Sequence, residues 1–198
     1  MKRHNLVLFF VLTLVAPSLT ASTITTCSGD LFIEYISAEQ LRERIDQLAD
    51  QINADYAGKE PVFVGVLNGC MMFMTDLLRS ITLDCMLDTM RIASYDKGMS
   101  SQGHITLVSP PRINLSNKDV IIVEDIIDTG LSIAYIYDLI MEQKPKSLAI
   151  VALLKKEHAP ATVPLKYVGF TISNEFVIGY GLDLEQHYRN LPAIYKHA

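Results

Sequence analysis

Cysteine is scarce in this chain. Its 198 residues hold three, Cys27, Cys70 and Cys85, an odd number at spacings that match no metal site. A disulfide framework and a CxxC-type zinc site are thereby excluded. Basic charge is also in short supply: 17 Lys and Arg stand against 22 Asp and Glu, a formal net charge of −5. A general nucleic-acid binder needs a basic face, so the chain is a poor candidate for that class. There is no GxxxxGK[ST] loop and no GxGxxG turn, which leaves nucleoside-triphosphatase and dinucleotide-binding readings without their fingerprints. Internal repeats and collagenous, low-complexity or disordered bias are absent too. The apolar run over residues 6–16 is shorter than the roughly 20 residues a membrane-spanning helix needs.

What is present is apolar. Hydrophobic residues make up 49% of the chain and the mean hydropathy is +0.24, enough for one ordinary domain with a real core. Part of that excess is local. Residues 1–4 are basic, 6–16 almost continuously apolar and 17–22 small and polar, the layout of a secretory signal. Its exit is poorly formed, with Leu19 ahead of Ala21. Either this is an export signal, or it is a peptide read from a start codon placed too far upstream.

The remainder alternates strand and helix. Residues 31–36 read as a strand. Ser37 and Gln40 form a capping box for a helix running to about residue 57, with Leu41, Ile45, Leu48 and Ile52 on one face. Residues 61–67 read as a buried parallel strand, Asn68-Gly69 as a turn, and residues 70–80 as a helix. A strand region over 83–94, a polar loop over 96–102 and a returning strand over 104–108 follow. Val120–Val123 is the strongest buried-strand signal, ahead of a helix over 130–143, a strand over 147–154, and short strands near 167–170 and 177–180. The expected fold is α/β, with a mainly parallel central sheet flanked by helices.

Function concentrates after Val123. A core strand ends in Glu124 and Asp125, and Asp128-Thr129-Gly130-Leu131-Ser132 then opens a helix. Two adjacent carboxylates are costly to bury without partners. In open α/β sheets ligands sit at the carboxyl ends of strands. Small residues at a helix start leave backbone N–H groups free to hold phosphate. The pattern suits a phosphorylated sugar, its hydroxyls or a metal on the acids and its phosphate on the loop. The plainer alternative makes Asp128 a helix cap.

The segment 120–132 resembles the phosphoribosyl-pyrophosphate signature of the purine phosphoribosyltransferases, hypoxanthine (hypoxanthine-guanine) phosphoribosyltransferases above all. The resemblance runs collinearly over about residues 30–195. Leu67, Asn68 and Gly69 resemble the family's pyrophosphate loop, which often carries a non-proline cis peptide, and Asn68 stands where many members have Lys. Ser94 and Tyr95, with the loop to Gly103, resemble its flexible lid. Lys156, in Leu153-Leu154-Lys155-Lys156, stands where the family reads the purine 6-oxo group. The run 175–183 and Arg189 resemble its base-binding hood.

The resemblance implies a type I phosphoribosyltransferase-like fold, one domain over 30–198, with a small hood from its C-terminal part and residues 1–22 outside the fold. It implies transfer of 5-phosphoribose from phosphoribosyl pyrophosphate to N9 of hypoxanthine, and guanine, giving IMP or GMP and pyrophosphate. Asp128 would be the general base. Glu124, Asp125, Ile127, Asp128, Thr129, Gly130, Leu131 and Ser132 would hold ribose and 5′-phosphate, and Leu67, Asn68, Gly69 and Arg189 the pyrophosphate. Lys156, Phe176, Val177 and Asp183 would bind the base. Mg²⁺ would sit on Glu124, Asp125 and Asp183. Salvage chemistry implies a cytoplasmic enzyme, with export as the lesser reading, and no nucleic-acid or membrane partner. A homodimer or homotetramer is expected, and Met71, Met72, Met74, Leu77 and Leu78 are either an interface stripe or core. A non-catalytic sensor of phosphoribosyl pyrophosphate is the competing class, against which the hood and Asp128 argue. The hood disfavours adenine and orotate as substrates and does not rank hypoxanthine against guanine or xanthine.

Overall fold

The computed structural model describes residues 22–95 and 104–198. The apolar segment over 1–21 and the lid loop over 96–103 lie outside these described residues.

The capping box at Ser37 forms as its residues dictate. Gln40 N–H donates to Ser37 Oγ at 3.2 Å, and Ser37 N–H to Gln40 Oε1 at 2.9 Å. They open α1 (Ala38–Asp55), whose apolar stripe Leu41, Ile45, Leu48 and Ile52 is buried. The apolar run Val62–Leu67, with valine at alternate positions, forms β3, apolar on both faces because layers cover both. After it come α2 (Met71–Ser80), β4 (Met86–Tyr95), β5 (His104–Ser109), β6 (Asp119–Ile127), α3 (Leu131–Met141), β7 (Ser147–Lys156) and β8 (Tyr167–Ile172).

The main sheet has the order β5-β4-β3-β6-β7-β8. Its neighbours from β4 to β8 run parallel, and β5 joins β4 antiparallel at the edge. Helices α1 and α2 cover one face over Leu48, Phe63, Phe73 and Ile121. Helix α3 covers the other, with Ile133, Ile136 and Ile140 against Val64, Ile122 and Ile150. The expected parallel α/β layering is thus present.

A second sheet is legible in the sequence only in part: its strands over 31–36 and near 177–180 are expected, the other two are not. Thr23–Thr25 (β1) pairs with Leu31–Ile36 (β2). Ile194–His197 (β10) lies between β2 and Val177–Ile178 (β9), all antiparallel. Phe32, Ile178, Ala193 and Tyr195 form its separate small core. In α2, Phe73, Met74 and Leu77 are buried, and Met72 and Leu78 pack against the same core. The methionine–leucine stripe is therefore mostly core, with Met71 left 48% exposed. Among the described residues no helix is long and apolar enough to cross a membrane.

Candidate active site

Strand β6 delivers the acids, with one correction to the sequence reading: it does not end in Glu124 and Asp125 but runs on to Ile127. Its pairing with β7 continues to Ile127↔Lys155, whereas its pairing with β3 stops at Gly65↔Val123. Glu124 is therefore the first residue past the β3 ladder, where the sheet opens on that side. It is buried, and its Oε2 has no hydrogen-bond partner. Burial, and then the neighbouring Asp125, push the Glu124 carboxyl well above the usual carboxylate range. Burial raises Asp125 too, against hydrogen bonds and the charge of Arg189 that oppose it.

The next loop wraps a cavity of about 250 Å³ lined by Glu124, Asp125, Ile127, Thr129, Gly130 and Ser132 among others. Gly130 occupies the N-cap position of α3 with φ +75°, and no side chain caps that helix. A Cβ there would also sit 2.9 Å from Thr162 Oγ1. Ala134 N–H, on Gly130 O at 3.1 Å, is the donor that closes the first turn. The amides of Ser132 and Ile133 lie in that first turn, where the helix supplies no acceptor.

Asp128 is not the helix cap. Its Oδ2 lies 3.1 Å from Lys156 Nζ and its Oδ1 3.1 Å from His158 Nε2. Long-range partners from the end of β7 took the carboxylate that a local amide could have used. Lys156 is itself buried. His158 and Thr162 carried no motif in the sequence. A histidine two residues beyond the end of a core strand was the one available signal.

Three segments meet at Gly69. A Cβ there would lie 1.7 Å from Asp125 Oδ2, and a Cβ on Gly181 (φ +101°) would lie 2.0 Å from Gly69 O. The Leu67–Asn68 peptide bond before it is cis. In the hood, Arg189 Nη2 pairs with Asp183 Oδ1 at 2.7 Å, and its Nη1 donates to Gly181 O at 2.7 Å. Asp183 also accepts from Gln186 N–H at 2.8 Å. Phe176 is half exposed with its ring edge-on to Phe32, and Val177 is buried in β9.

The structure thus gathers Glu124, Asp125, residues 127–130 and Ser132 around one cavity, with Leu131 left 53% exposed outside its lining. It sets Gly69 against Asp125, and Lys156 on Asp128. It does not join Asp183 to Glu124 and Asp125, since no group of three metal-type ligands occurs among the described residues. Ser94 and Tyr95 fall in β4 beside the undescribed loop.

An acid pair and a helix-opening loop at the open end of a parallel sheet define an α/β protein built to hold an anion there. The model of the phosphoribosyl transferase domain matches residues 35–185, and the chain belongs to that family. It is 40% identical over 167 residues to the hypoxanthine-guanine phosphoribosyltransferase of Staphylococcus aureus, covering 84% of this chain and 93% of that one. It is 42% identical over 167 residues to the bifunctional protein TilS/HprT of Listeria innocua, of which it spans 26%. A solved hypoxanthine-guanine phosphoribosyltransferase from Bacillus anthracis superposes with a TM-score of 0.79 at 40% identity, over 83% of this chain and 98% of that chain.

Proposed function

We propose that this chain is a purine-salvage phosphoribosyltransferase. It moves 5-phosphoribose from phosphoribosyl pyrophosphate to N9 of hypoxanthine or guanine. The observation that carries the reading is the cavity itself, lined by Glu124, Asp125 and Asp128 together with the helix-opening residues Thr129, Gly130 and Ser132, with Lys156 paired to Asp128. The amides and hydroxyls of residues 129–132 take the 5′-phosphate, and Glu124 and Asp125 take the ribose hydroxyls. Lys156 donates to the purine 6-oxo group and would repel the amino group of adenine. Phe176, half exposed, stacks on the base, whose edge meets the Val177 backbone. Asp128 accepts the N7 proton as the N9–C1′ bond forms and the bond from C1′ to pyrophosphate breaks. Backbone N–H groups of the 67–69 loop and Arg189 receive the pyrophosphate.

The donors fit a hard cation. The unpartnered Glu124 Oε2 and the neighbouring Asp125 carboxyl offer oxygen only. Mg²⁺ typically takes one or two carboxylates and completes its shell with water and substrate phosphates. Glu124 and Asp125 would hold it, with Asp183 drawn in only on release from Arg189. When bound, it would neutralise charge developing on the leaving pyrophosphate.

The test is an assay of IMP and GMP formation, with hypoxanthine, guanine, xanthine and adenine as competing bases. Turnover of 6-oxopurines with adenine excluded is the expected result. Adenine turnover equal to hypoxanthine, or no nucleotide formed with any base, overturns the reading.

A further inference from the structure

Asp128 is 46% exposed at its side chain and gains no bond from the helix that follows it. An aspartate carboxylate turns broadly about χ2. A single donor leaves it free to pivot about the bonded oxygen, whereas a donor on each oxygen fixes its plane. Here the second donor is His158, with Nε2 3.1 Å from Oδ1, while Lys156 Nζ lies 3.1 Å from Oδ2. Both come from one short segment at the end of β7, in a turn closed by Ala159 N–H on Lys156 O at 3.0 Å. An ionised carboxylate only accepts, so Nε2 carries the hydrogen.

We propose that His158 is a positioning residue for Asp128. Its Nε2–H holds Oδ1, so that a lone pair not used by His158 or Lys156 faces the purine N7–H. The inference rests on the reading of Asp128 as general base. It also resolves a double demand on Lys156, whose ammonium serves both Asp128 and the 6-oxo group. When the base draws that ammonium away, His158 is the donor that stays on the carboxylate. The proton count is simple: N7 gives its proton to Asp128, and His158 keeps its own.

Steady-state kinetics on H158A, H158Q, D128N and the double variant D128N/H158A test this. H158A should lower kcat about 10- to 100-fold, the scale of a misplaced catalytic group. KM for both substrates should stay within about twofold and Tm should be unchanged, because His158 is half exposed. Glutamine keeps an N–H donor at similar reach, so H158Q should recover to within about threefold of wild type. D128N should lose about 10²–10⁴-fold, and adding H158A should then cost less than about twofold, since the two act as a unit. Wild-type kcat in H158A, an H158Q no better than H158A, or effects that multiply independently would each overturn the proposal. If D128N loses activity as expected while H158A keeps wild-type kcat, the positioning role alone fails. If D128N keeps wild-type kcat, the base assignment fails and takes the positioning role with it.

Discussion

Gly69 shows how closely single residues constrain the site. Its missing side chain is what lets the 67–69 loop lie on the half-buried Asp125 carboxyl while the Gly181 backbone packs against the Gly69 carbonyl. An alanine would place Cβ 1.7 Å from Asp125 Oδ2, so the carboxyl or the loop would have to shift. Gly69→Ala should cost about 1–3 kcal/mol, the usual penalty of overpacking, and should depress turnover because an acid of the site is displaced. Denaturant unfolding and initial rates on the same preparation check both. A variant with unchanged stability and rate would mean that the loop stands off Asp125. The sequence suggested Asn68-Gly69 as a turn, and that spacing is correct. The reason for the glycine is a contact with residue 125, which no local pattern encodes.

At the scale of elements, β6 and β7 are tied at both ends by charge. At the site end lie Asp128, Lys156 and His158. At the other end Asp119 accepts from Ser147 Oγ at 2.5 Å and from Lys146 Nζ at 3.2 Å. The Ser147 hydrogen bond first, and then Lys146, hold the buried Asp119 carboxyl below its ordinary value of 3.8. A carboxyl depressed in the folded state stabilises the fold above its unfolded value. That contribution is lost as pH falls through the lower, folded value, because the native carboxylate must then take up a proton. Asp119→Ala should therefore cost about 1.5–3 kcal/mol at neutral pH, the size of a hydrogen bond to a charged group. The deficit should shrink as pH is lowered through roughly 4 toward 2. Thermal melts of both proteins across that range check it, and a deficit that stays constant or grows in acid refutes it.

The same scale explains what could be read in advance. The stripe of α1 and its capping box, and the double-sided apolar runs of β3 and β6, are local patterns backed by burial, and they formed as read. The hood sheet was only half visible. Strand β10 is four residues long and finds its partner in β2, which lies near the other end of the chain. Short strands paired over such a span carry little periodicity of their own. Asp128 as a cap failed for a related reason. A helix-start aspartate favours local amides, and two side-chain donors from the end of β7 outcompeted them. Residue types near the site were legible, but the partners that orient them were not.

For the whole molecule, the net charge of −5 and the proposed polyanionic substrate are compatible only if the positive field is local. Lys156, Arg189 and the helix-start amides supply part of it, but Glu124 and Asp125 oppose it inside the same cavity. A divalent cation arriving with the proposed substrate would remove that opposition. The protein itself offers few ligands for one, with no cluster of three among the described residues. The core is also closed without it, with Ile121, Ile122 and Phe63 fully buried. Folding and metal binding should accordingly be uncoupled, unlike a structural zinc site whose binding energy is folding energy. Chelation with EDTA should abolish nucleotide formation while leaving the Tm of the substrate-free protein within about 1 °C, since a ligand that barely binds the free protein barely stabilises it. Phosphoribosyl pyrophosphate and Mg²⁺ added together should raise Tm more than the sum of their separate effects. Full activity in chelator would remove the metal from the reaction, and a large fall in Tm on chelation would mean that the free protein carries a metal site of its own.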